Sequence, residues 1–127
     1  MRHLLALTAI FLTHGQTVSA QGLRAVSPLQ GYGCMMLKLT HEQIRSNSVT
    51  VPVYNGPSTS SGETGVASVV LIVRTPLNIR NGFAESLFPD GRTVWIGAEW
   101  LQPYRSASNP NAHCTPSMMS DGKPGFG

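Results

Sequence analysis

VTVPVYNGPSTSSGETGVASVVLIVRTPLNIRNGFAESLFPDGRTVWIGAEWLQPY, residues Val49–Tyr104, decides the fold. It contains short β-type runs separated by glycine-bearing turns and shows no 3.6-residue period. In Val49–Tyr54 the three valines alternate with Thr50, Pro52 and Tyr54, which predicts a strand with one buried face. Pro52 cannot donate to a ladder, so this strand belongs at an edge or turns its Pro52 nitrogen outward. Asn55–Gly65 holds three glycines and five hydroxyl residues and reads as a long hairpin loop. In Val69–Val73 both faces of the pleat are apolar, which demands cover on two sides: the barrel interior, and either the N-terminal arm or the C-terminal tail.

Pro76 ends that strand and Asn81-Gly82 marks a turn. A third strand follows over Gly82–Phe88, with Phe83, Glu85 and Leu87 on one face. Asp90-Gly91 is a hairpin turn, and Arg92–Ile96 returns with Val94 and Ile96 inward and Trp95 on the other face or across the rim. Gly97–Trp100 reads as a single turn before a last strand, Leu101–Tyr104.

Outward from this stretch the signals weaken. Gln21–Gly33 is broken by Pro28, Gly31 and Gly33 and reads as an extended arm; Cys34–Leu39 is a short strand or an apolar strip. Thr40-His41-Glu42-Gln43 fits a capping box, predicting one or two helical turns ending near Asn47. Residues 105–127 are polar, turn-rich and without period. Arg2 and His3 precede an apolar run, Leu4–Leu12, and Val18-Ser19-Ala20 supplies small residues before Gln21, the pattern of a secretory signal peptide over residues 1–20. The expected organisation is therefore a signal peptide (1–20), an arm with a short helical turn (21–47), a barrel (48–104) and an irregular tail (105–127).

Removing the first twenty of 127 residues leaves 107, enough for one small domain of the kind that often needs a staple. The formal charge is +3 for the whole chain and +2 once Arg2 is gone, spread evenly, so no nucleic-acid footprint is expected. The two cysteines, Cys34 and Cys114, read first as a disulfide in an oxidising compartment. Lesser readings are a zinc site shared with His41 and His113, and a nucleophilic cysteine. Glu42, Glu63, Glu85, Asp90, Glu99 and Asp121 stand apart, so spacing offers no acid–base pair. The fold class read from the chain is all-β: a small barrel of about five strands with irregular arms joined by the disulfide.

Gly56-Pro57-Ser58-Thr59-Ser60-Ser61, Gly65, Asn81-Gly82-Phe83, Asp90-Gly91-Arg92, Trp95-Ile96 and Leu101 follow one another in an order that resembles the bacterial SH3-like domains. The resemblance covers about half of the chain and implies an SH3-like barrel that binds. Phe83 stands where that family usually has tryptophan, and Val94 where glycine is common. The tail Ser120-Asp121-Gly122-Lys123-Pro124-Gly125-Phe126, with the outlying cysteines, resembles the small third subunit of the membrane-bound quinohaemoprotein alcohol dehydrogenases of acetic acid bacteria. That resemblance implies a cofactor-free, non-catalytic periplasmic subunit, held at the inner membrane through larger dehydrogenase and cytochrome subunits. The rival expectation is a free-standing secreted module that binds cell-wall peptide or glycan. For either, Tyr54, Trp95, Trp100, Tyr104, Met118 and Met119 are the candidate contact residues, because aromatic anchors carry much of an interface's energy.

Overall fold

A computed structural model describes residues 22–106 and 108–127. The expected signal peptide lies outside the described residues. The fold is nearly all-β, with strands β1 (Ala25–Pro28), β2 (Tyr32–Leu37), β3 (Pro52–Tyr54), β4 (Glu63–Val66), β5 (Val70–Arg74), β6 (Ile79–Arg80), β7 (Phe83–Leu87), β8 (Thr93–Gly97), β9 (Leu101–Pro103), β10 (Pro116–Met119) and β11 (Pro124–Phe126). Among the described residues, one short helix, α1 (His41–Ser46), and 3-10 turns at Thr59–Ser61 and Ala98–Trp100 accompany the strands.

The larger sheet runs β4-β3-β8-β7-β5-β2-β9, with β6 on β7, and its two ends are not joined into a closed barrel. Its core face carries Val51 and Val53 ahead of and in β3, Leu71 and Val73 of β5, Ala84 of β7, Val94 and Ile96 of β8, Leu37 of β2 and Leu101 of β9. The predicted alternation is thus realised in β3 and β8, where Val53, Val94 and Ile96 are fully buried. Each such side chain contributes roughly 1.5–3 kcal/mol of transfer free energy. β3 meets β8 only at Tyr54↔Trp95, so that ladder begins beyond Pro52, whose nitrogen donates nothing.

The turns follow their sequences. Asn81 and Gly82 take φ of 53° and 80° between β6 and β7. Gly91, at φ 92°, turns β7 into β8, with the Asp90 carboxylate accepting from the Arg92 backbone N–H at 3.0 Å. The long loop after β3 ends at Gly62 instead of Gly65, because Glu63–Val66 pair back on β3. There Gly65 is needed: a Cβ on it would lie 2.9 Å from the Phe88 ring. The capping box forms, with Gln43 N donating to Thr40 Oγ1 and Thr40 N to Gln43 Oε1, and α1 stops at Asn47 in the left-handed region.

The flanking segments are more ordered than their sequences indicate. β2 lies inside the larger sheet between β5 and β9, with Met35 opposite Leu71 and Leu37 opposite Leu101. YGCMML carries no β-branched residue, so its strand character comes from the apolar partner it finds and not from local propensity. β1 and the tail strands form a second sheet, β1-β10-β11. The tail thus contains an antiparallel hairpin, β10–β11, turned at Asp121-Gly122, with Gly122 at φ 82° and Lys123 N donating to Asp121 Oδ1 at 2.9 Å.

Cys34 and Cys114 form a disulfide across 80 residues, joining β2 to the segment just before β10. The small sheet is thereby fastened to the larger one. Of the two covers open to Val69–Val73, the tail supplies one: Ile72, buried on the face away from the core, shares an apolar slot of about 220 Å³ with Leu87 and Pro124–Phe126. Among the described residues no helix is long and apolar enough to cross a membrane.

Candidate functional site

The residues singled out for contact do not form one patch. Tyr54 and Trp95 face each other across β3 and β8, and Tyr54 meets Phe83 edge to face at a ring separation of 5.7 Å. Trp95 is only 9% exposed, so it acts mainly as the buried floor of this aromatic group. Glu85 lies directly opposite Trp95 in the β7–β8 ladder. Its carboxylate accepts from Asn78 Nδ2 at 2.7 Å and stands 3.6 Å from Arg74 Nε, while the Arg74 guanidinium lies over the Tyr32 ring at 4.9 Å. This polar chain was hidden in the sequence, where Glu85 appeared isolated; the β5–β7 and β2–β5 ladders bring its members together.

Trp100 is half-buried and packs against the core from its 3-10 turn, its backbone carbonyl accepting from Lys38 N–H at 2.8 Å. Met118 and Met119 are half-buried within β10, opposite Pro124 and Ala25 respectively. A Cβ on Gly125 would meet Met119 Cγ at 2.6 Å, so that glycine is what lets the hairpin close over the methionine.

Tyr104, half-buried, stands alone of the six on the wall of an open groove of about 660 Å³. One side of the groove is Leu39, His41 and Ile44, from α1 and the residues leading into it. The other is Gln102–Ser106 and Pro110, with Met36 between. Its walls are pinned: Gln102 Nε2 donates to the Leu37 carbonyl at 3.1 Å, and Arg105 N to Met36 Sδ at 3.2 Å. The sequence carried one faint sign of it, the lone isoleucine on an otherwise polar helix.

Cys34 and Cys114 are both consumed by their bond, so neither is a thiol in this structure, and His113 beside Cys114 is exposed. Among the described residues no three of His, Cys, Asp and Glu gather as metal ligands. Asp90 is exposed; the side-chain hydrogen bond from Arg92, at 2.7 Å, holds its carboxyl below the ordinary 3.8, aided by the Arg92 backbone N–H. That cluster steadies the β7–β8 turn, and Arg92 reaches on to Thr64 Oγ1 at 2.6 Å.

Neither family models, nor curated proteins, nor solved structures give a match to this chain.

Proposed function

We propose that this chain is a non-catalytic, SH3-like accessory subunit that docks on a larger membrane-bound quinohaemoprotein alcohol dehydrogenase and stabilises or helps assemble it. The observation that supports the reading is the form taken by the tail. The run Ser120–Phe126, on which the resemblance to the small dehydrogenase subunit rests, is the turn and second strand of a hairpin. The disulfide binds that hairpin to the sheet bearing the SH3-like motifs. Two separate sequence resemblances thereby belong to one stapled body, as a subunit with a fixed shape requires. The chain would be exported to the periplasm, carry no cofactor of its own, and meet the membrane through its partners.

Affinity recovery of the full chain from detergent-solubilised membranes tests this. A dehydrogenase and a cytochrome subunit should be retained, and deletion of the gene should lower quinone-linked alcohol oxidation. Recovery as a lone monomer with unchanged oxidation rejects the reading.

A second reading is a free-standing module binding cell-wall peptide or glycan. It draws on the Tyr54–Phe83 pair, whose edge-to-face rings lie beside the 55–62 loop and present an aromatic surface suited to stacking. Cosedimentation with purified peptidoglycan, lost in Tyr54→Ala, would favour it.

A further inference from the structure

Helix α1 poses a problem of its own. It has six residues and buries none of them, whereas isolated helices shorter than about 12–15 residues are marginal in water. Its caps hold it, but its apolar residue, Ile44, remains 38% exposed and lines the groove opposite Pro103 and Tyr104. Met36 and Leu39, both half-buried, lend the groove further apolar surface.

The charge around this apolar surface is one-sided. Arg105 lines the groove, His41 stands on its other wall, and among the described residues no carboxylate lines it. Arg45, Arg74 and Arg92 each pair with an acid; the Arg105 guanidinium, like those of Arg24 and Arg80, makes no ion pair among the described residues, but it alone of these three lines the groove. Glu42, the acid of α1, is already bound to Arg45 at 2.6 Å.

Resting on the accessory-subunit reading, we infer that this groove receives an extended segment of the larger subunit that brings an apolar side chain for Ile44 and a carboxylate for Arg105. Covering the groove removes water from the guanidinium, and a desolvated cation without a counter-charge is costly, so the occupant must carry the acid. Arginine's planar fork adds specificity by binding a carboxylate through two parallel hydrogen bonds. The volume, about 660 Å³, is that of a pocket able to enclose a few side chains and is too small for a folded element.

The test uses the intact complex. A benzophenone amino acid is placed at Ile44 or, for comparison, at Phe126, which is 44% exposed on the small sheet. After irradiation of solubilised membranes, position 44 should link to the larger subunit at a peptide holding Asp or Glu beside an apolar residue. Arg105→Glu should lower recovery of that subunit about tenfold or more, a loss of about 1.4 kcal/mol or more. Arg105→Lys should retain most of it, and neither variant should alter the melting of the free chain, since Arg105 is exposed. If the larger subunit is recovered but links only through position 126 and ignores Arg105→Glu, the groove assignment is wrong and the accessory reading stands. Links from position 44 to a second copy of this chain also overturn the assignment. If wild-type chain recovers no dehydrogenase subunit, the accessory reading fails, and the proposed occupant of the groove fails with it.

Discussion

Replacing both cysteines by serine should destabilise this protein more than any other paired substitution outside the core. The bond closes a loop of 80 residues, and in the chain-entropy account a loop of that length restrains the unfolded chain by about 4.5 kcal/mol at 25 °C. Packing adds little, since Cys34 and Cys114 are only half-buried. The double variant isolates the covalent constraint, whereas a single one leaves a thiol able to form mixed disulfides. Urea unfolding followed by the fluorescence of Trp95, which sits at 9% exposure, and of Trp100, which packs against the same core, reports the larger sheet. Amide exchange in β10 and β11 reports the smaller one. For a domain this size the loss should lower the melting temperature by roughly 20 °C or more. The small sheet should open first, because β10 and β11 are bound to the larger sheet chiefly through the bond and a thin apolar contact. A loss below about 1 kcal/mol with an unchanged urea slope, or equal exchange in the two sheets before and after, refutes the view that the bond stabilises through the unfolded chain and fastens the sheets.

Other substitutions probe the interior and the turns. Ile96→Ala empties a fully buried site at the centre of the larger sheet and should cost about 2–5 kcal/mol in the same urea assay; a cost under about 1 kcal/mol would mean the site collapses freely. Gly65→Ala drives a methyl into the Phe88 ring and should cost about 1–3 kcal/mol, with the Phe88 resonances shifted; an unchanged stability and spectrum counts against the close approach. Ser86→Ala removes the 2.7 Å hydrogen bond to the buried Ile72 carbonyl and should cost about 1–3 kcal/mol, measured by thermal melting. Asp90 should titrate below 3.8 by carboxyl NMR: with the folded pKa depressed, its stabilising effect is complete above the unfolded value and is lost as pH falls through the folded one. A midpoint at or above 3.8, or no rise in Arg92→Ala, removes Arg92 as the cause.

The legible part of this fold is the part whose instructions are local. Val51, Val53, Val94 and Ile96 announce their face by alternation, and Asn81-Gly82, Asp90-Gly91 and the Thr40 cap specify backbone angles within a few residues. The flanks obey distant partners instead. Tyr32–Leu37 has weak strand character and becomes a strand only against neighbours dozens of residues away, and Pro116–Met119 joins a sheet only when its local hairpin meets β1 far upstream. The same holds at the candidate surfaces. Trp95 looks available in a period-2 reading, yet it is buried on the face away from the core. Tyr104 could be nominated, but its place in a groove could not, since nothing short-range joins Tyr104 and Arg105 to Leu39 and Ile44 on the opposite wall. The tail glycine Gly125 reads as a loop residue, and only the register of β10 on β11 shows the methionine it accommodates.

A ribosome making this polypeptide releases the partner of its first described strand near the end. Arg24 and Ser120 share hydrogen bonds across 96 positions, so the opening strand must wait, unpaired, for almost every later residue to emerge. Until then β1 offers bare amides to whatever is nearby. A nascent product cut short anywhere before Pro116 can never acquire the second sheet, and truncation before Cys114 also denies Cys34 its mate. An incomplete chain therefore carries Ala25–Pro28 without the strand that pairs it in the finished fold.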